Sequence, residues 1–170
     1  MKEACKTWYL CPSCHQKRIL LFSEHMANDV LLKLPHRQYV WCIPKALRIY
    51  FRNDKSLFAD ISKIIFSIIN EYYNEASETP LKTGAIISYQ SFGDMMRPNP
   101  HFHTIILEGG IANDGRFHSI PIKNKLSLTE LFRRRVISYF VNKKLLNEKF
   151  ARKGSQIRRR TKERTGRKSG

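Results

Sequence analysis

The stretch that decides the fold is GAIISYQSFGDMMRPNPHFHTIIL, residues 84–107. It holds two β-prone runs, GAIISYQSF at 84–92 and HFHTIIL at 101–107. They are separated by a glycine and two prolines in GDMMRPNP. Gly and Pro punctuate strands, so the segment predicts an antiparallel hairpin with a long loop. Within the second run, His101 and His103 stand two residues apart. Side chains alternate along a strand, so both imidazoles project from one face and Phe102 from the other. Two imidazoles so placed can grip one divalent metal ion. A third ligand is expected from the neighbourhood. Gln90 lies across the hairpin, with Asp94 and Glu108 as alternatives.

Outward from the hairpin, residues 54–78 give the clearest helix. Leu57, Phe58, Ile61, Ile64, Ile65, Ile68, Ile69 and Tyr72 recur at i, i+3, i+4 spacing, and Asp54 is placed to cap it. QYVWCI at 38–43 predicts a short strand stopped by Pro44. Residues 16–34 predict a helix ended by Pro35. GGIANDGRFHSI predicts another turn and short strand. Residues 127–150 predict a helix capped by Ser127, with Leu128, Leu131, Phe132, Val136, Tyr139 and Phe140 on its apolar face. The order is β-α-β-β-α. A split β-α-β fold needs one more strand, and the sequence after Phe150 offers none.

The chain of 170 residues carries 31 Lys and Arg against 14 Asp and Glu, a net charge of +17. Such an excess predicts a polyanionic partner, nucleic acid or an acidic membrane surface. No apolar run reaches the ~18 residues of a membrane span. MKEACKTWYLCPSCH at the N-terminus has no signal-peptide apolar core. The expectation is a cytoplasmic protein with reduced cysteines. Between Arg152 and Gly170 there are nine basic residues and one acid. That tail cannot bury a face and is expected to be disordered, binding nucleic acid without sequence preference. Lys45, Arg48, Arg52 and Arg97 are the candidate DNA-backbone contacts nearer the histidines. Trp8, Tyr9 and Trp41 are candidate base-stacking residues. Cys42 reads as a core thiol.

Cys11 and Cys14 form a CxxC pair, with Cys5 before it and His15 after it. The spacing suits Zn²⁺, and a closed site needs four ligands. Cys5, Cys11 and Cys14 with His15 or His25 are the candidates.

PNPHFHTIIL resembles the HUH motif (His, hydrophobic, His) of endonucleases that nick single-stranded DNA. LPHRQYVWCIPKALRIYF, SYQSFGDMMRPNPHFHTIILEGGI and LCPSCHQKR are similar to rolling-circle insertion-sequence transposases with two catalytic tyrosines. The resemblance runs from about Cys5 to about Arg152. It implies an α+β HUH-endonuclease domain over residues 35–150, an antiparallel sheet with helices on one face. Residues 1–34 would form a partial zinc module and helix, and 151–170 the basic tail. It implies Mg²⁺ or Mn²⁺ on His101 and His103, polarising a scissile phosphate at single-stranded ends of a mobile element while a tyrosine attacks. The family's Tyr-x3-Tyr pair is absent from this sequence, and Tyr139 alone follows the histidines. Tyr139 is thus the candidate nucleophile, with core packing as its alternative role. The departure leads to the expectation of a truncated or frame-shifted copy. The competing readings are a DNA-binding fragment without chemistry and a basic zinc protein that binds RNA.

Overall fold

The computed structural model describes residues 11–93 and 97–147. Cys5, Trp8, Tyr9, Asp94 and the basic tail lie outside them. The chain divides into two compact units, Met1–Pro35 and His36–Gly170.

In the first unit, α1 spans Pro12–His25 and continues into a π-helical turn, Met26–Val30. The helix starts four residues before its expected beginning. Pro12 occupies the first turn, where its fixed φ suits a helix and its missing N–H costs nothing. The CxxC pair therefore straddles the start of a helix, Cys11 at its N-cap and Cys14 in its first turn.

The second unit begins with β1, His36–Cys42. After it come a 3₁₀ turn at Lys45–Leu47, the short helix α2 at Tyr50–Asn53, and α3 at Ser56–Glu75. The hairpin follows as β2, Ala85–Phe92, and β3, Pro98–Leu107. A small second hairpin pairs β4, Gly109–Ile111, with β5, Phe117–Ser119. The last described helix is α4, Lys125–Asn142.

The main sheet has the order β1-β3-β2, and β3 is antiparallel to both neighbours. β1 and β2 are therefore parallel to each other, with β3 inserted between them. That is one split β-α-β unit, α3 being the crossover, and the further strand that completes the motif is not in this sheet among the described residues. Phe102 and Ile106 project from one face of β3 and are fully buried. Phe58 of α3 packs on Phe102 at 5.9 Å and stacks on Tyr89 at 4.2 Å. Phe132 of α4 meets Trp41 edge-on at 5.1 Å. Both long helices thus cover the Phe102 face. α3 buries Leu57, Phe58, Ile61, Ile65, Ile68, Ile69 and Tyr73, and α4 buries Leu128, Phe132, Val136 and Phe140.

Several details differ from the sequence reading. Asp54 accepts hydrogen bonds from the Ser56 backbone N–H at 2.8 Å and the Ser56 hydroxyl at 2.6 Å, so it closes a turn just ahead of α3. Asn124 caps α4 instead of Ser127, its side-chain oxygen accepting from the Ser127 N–H at 3.0 Å. α4 stops at Asn142, and Lys144 follows in a left-handed conformation, φ 59°. Leu131, expected on the apolar face, is exposed. So is Cys42, expected in the core. It stands opposite His101 on β1, on the face away from the helices. Trp41 takes the core position instead. It is buried and its indole N–H donates to the Thr104 hydroxyl at 3.0 Å, which removes it as a base-stacking residue.

Candidate metal and DNA site on the open sheet face

The face of the sheet turned away from α3 and α4 carries His101 and His103 on its central strand. Their rings lie edge to face with centroids 4.9 Å apart. β1 and β2 bring neighbours to both sides. Cys42 and Gln90 flank His101, and Val40 and Ser88 flank His103. Val40 is 54% exposed and Ile105 36%, so this face is open. Ile43 N–H donates to the Pro100 carbonyl, which makes Cys42–His101 the adjacent non-hydrogen-bonded pair, the geometry in which side chains stand closest.

The ring nitrogens show how the pair is set. His101 Nδ1 is 2.7 Å from the backbone carbonyl of Asn99. A carbonyl can only accept, so Nδ1 carries a proton, and in the neutral ring the lone pair is on Nε2. This anchoring of one ring nitrogen by a carbonyl is the arrangement of metal-binding histidines. His103 Nε2 is buried and has no hydrogen-bond partner among the described residues. A buried nitrogen without a partner costs free energy unless something fills the position. The two imidazoles therefore fit a divalent ion. When bound, such an ion would polarise a phosphate oxygen.

Among the expected third ligands, Gln90 is brought beside His101, its partner in the strand register. Glu108 is directed elsewhere. It pairs with Arg37 at 2.9 Å, and its charge adds to the burial that chiefly raises the pKa of Tyr39 and Tyr73, which belong to the helix side. Asp94 lies outside the described residues.

Tyr139 is not brought to the histidines. It stands on α4, donating its hydroxyl proton to Asp60 of α3, and Lys143 Nζ joins the same carboxylate at 2.9 Å. Burial, followed by the Asp60 hydrogen bond, raises its pKa. The other described tyrosines also lie on the helix side. Tyr39 and Tyr89 pair with Thr104 and Phe102, Tyr50 packs on Phe140, and Tyr72 and Tyr73 belong to α3.

Three of the basic residues named from sequence, Lys45, Arg48 and Arg97, adjoin the His101 end of the sheet. Lys45 and Arg48 follow β1 directly, and Arg48 Nε donates to the Ile43 carbonyl at 3.1 Å. Arg52 lies on α2, and Arg97, immediately before β3, accepts a backbone bond from Gly93 at 3.0 Å. Lys45, Arg52 and Arg97 are exposed.

In the first unit, Cys11, Cys14 and His15 occupy one side of the start of α1. His25 is eleven residues beyond Cys14, about 16 Å along a helix, and its Nδ1 engages Asp29 at 2.8 Å. It is therefore not a ligand alongside the cysteines. Among the described residues, no three His, Cys, Asp or Glu side chains are gathered closely enough to hold a metal. Cys5, the remaining candidate, lies outside them. None of the described helices is long and apolar enough to cross a membrane.

Residues 84–168 match the family model described as "Putative transposase". The chain finds no match among curated proteins and none among solved structures. The match spans half of the 170 residues, from the first strand of the histidine hairpin through α4 and into the basic tail, and the chain belongs to this transposase family.

Proposed function

We propose that this chain is the metal-holding, DNA-binding part of an HUH-type rolling-circle transposase acting on single-stranded DNA. The observation that carries the reading is the histidine pair itself. One imidazole has its proton fixed by the Asn99 carbonyl, and the other presents a buried nitrogen with no partner among the described residues on an open sheet face. On this reading His101, His103 and Gln90 hold Mg²⁺ or Mn²⁺, imidazole suiting Mn²⁺ better. Lys45, Arg48, Arg52 and Arg97 track the DNA backbone towards the ion. Cys5, Cys11, Cys14 and His15 are the proposed Zn²⁺ ligands, a set that must draw together on binding because Cys11, Cys14 and His15 are not gathered closely enough on their own.

Strand cleavage needs a nucleophile at the ion. Every described tyrosine lies across the sheet from the histidines, and that placement favours a second reading in which these residues bind metal and DNA without cutting. The test is a Mn²⁺ titration followed by electron paramagnetic resonance, together with a denaturing-gel assay for a covalent adduct with single-stranded oligonucleotides. Mn²⁺ binding is expected for the native chain and a loss of at least ten-fold for His101→Ala with His103→Ala. Full Mn²⁺ binding by that double variant would overturn the reading. Any adduct that forms is expected to survive Tyr139→Phe.

A further inference from the structure

The histidines have a third companion on their face. Asn99 belongs to β3, and alternation places it with His101 and His103, away from buried Pro100 and Phe102. Its side-chain oxygen Oδ1 is buried and has no hydrogen-bond partner among the described residues, the same condition as His103 Nε2. Two such atoms on one strand face, beside an open metal-type pair, call for a common explanation.

The local sequence holds Asn99 rigidly. Prolines flank it on both sides in Pro98-Asn99-Pro100. A residue before proline is confined to extended conformations, and proline fixes its own φ. The Asn99 carbonyl is thereby held where it accepts the His101 proton. The side chain is confined as well. A methyl group added at Gly93 would stand 3.0 Å from Asn99 Nδ2 and 3.2 Å from its Cβ, so glycine at 93 leaves the amide its room.

Direct ligation of one ion by all three residues does not fit a strand. A rise of ~3.3 Å per residue puts Asn99 roughly 13 Å from His103 along the chain, beyond the reach of so short a side chain. A water on the ion lies closer. We infer that Asn99 is a positioning residue whose amide oxygen accepts a hydrogen bond from a water bound to the metal, while its backbone carbonyl sets the tautomer of His101. This rests on the metal reading proposed above.

The asymmetry of buried hydrogen bonds supplies the test. In the metal-free protein, Asn99→Leu removes an unpaired polar atom, so its melting temperature should equal or exceed that of the native chain. Its Mn²⁺ affinity should nonetheless fall about ten-fold or more, the usual effect of losing an outer partner. Asn99→Asp keeps the acceptor and adds charge, so it should bind Mn²⁺ at least as tightly as the native chain. Native-like Mn²⁺ affinity in Asn99→Leu would overturn the inference and leave the histidine site standing. An Asn99→Leu variant that loses stability and metal together would also overturn it, because the role would then be packing. If the native chain binds no Mn²⁺, the inference fails with the reading beneath it.

Discussion

Within β1, Trp41 and Cys42 show how one residue of register divides core from site. QYVWCI is β-prone throughout, and its own composition does not say which alternate set faces inward. Pairing with β3 settles that. Trp41 stands opposite Phe102 and goes into the core, while Cys42 stands opposite His101 and goes to the open face. The histidine pair was legible because i and i+2 on a strand share a face whatever the partner. The neighbours of that pair depend on cross-strand register, and a bulge between Gln90 and Phe92 disturbs β2 at that point. The core position of Trp41 carries a polar obligation. Its indole N–H donates to Thr104 Oγ1, and that hydroxyl donates to the Tyr39 carbonyl at 3.2 Å, tying β1 to β3 from within the core. Thr104 is fully buried. Thr104→Val keeps the shape and strands the indole donor. The expected cost is about 1–3 kcal/mol, read as a lower urea midpoint with an unchanged slope. Trp41→Phe in the same background should recover part of it, because the stranded donor is then gone.

Between elements, α3 and α4 are joined by apolar packing and by charged contacts at its margin. Arg135 of α4 donates to Glu71 at 2.8 Å and to the Ser67 hydroxyl at 3.1 Å, while Tyr139 and Lys143 converge on Asp60. Along α4, Glu130 receives Arg133 at 2.7 Å and Arg134 at 3.0 Å. Hydrogen bonds from these partners hold all three carboxyls below their ordinary range. Tyr139 has the largest effect on Asp60, Arg135 on Glu71 and Arg133 on Glu130, which is lowered to about 2. A depressed folded pKa means that the unfolded chain takes up protons first. The stabilisation is therefore present above the ordinary carboxylate pKa and is lost as pH falls towards the folded values. Melting temperature should decline from near pH 4.5 to near pH 2. Each partly exposed pair is worth at most about 1 kcal/mol. The combined variant Asp60→Asn, Glu71→Gln, Glu130→Gln should melt lower at neutral pH and show a flatter acid limb. An unchanged acid limb would assign the loss to other carboxyls. The helices themselves were legible, since apolar residues at 3.6-residue spacing mark α3 without ambiguity. The 3₁₀ turn and α2 over residues 45–53 were not. Their segment mixes charged and aromatic residues after Pro44, and Leu47 and Phe51 are buried by tertiary contact rather than by any periodicity of their own.

For the molecule as a whole, the order β-α-β-β-α could be read from turn residues and periodicity. The sheet order β1-β3-β2 follows once β3 is known to pair on both edges. The net charge of +17 was equally plain, but composition does not say where a polyanion runs. The fold answers in part, by setting Lys45, Arg48 and Arg97 next to the end of the sheet where His101 stands, with Arg52 following on α2. Nine further cations follow between Arg152 and Lys168. These two groups should separate in the salt dependence of binding. Each phosphate contact on single-stranded DNA releases counterions and contributes about −0.7 to the slope of log K against log salt. Lys45→Gln, Arg52→Gln and Arg97→Gln should each reduce the slope by about that amount on a single-stranded oligonucleotide. Arg116→Gln, on the turn between β4 and β5, should leave it unchanged. Neutralising the cations of the tail should reduce the slope further, by the same amount on any sequence, because a basic segment reads phosphates and not bases. If Arg116→Gln lowers the slope as much as Arg97→Gln does, the DNA follows the summed charge of the surface. If only the residues near His101 do so, the backbone is led across the end of the sheet to the histidine face, where a bound ion would meet a phosphate.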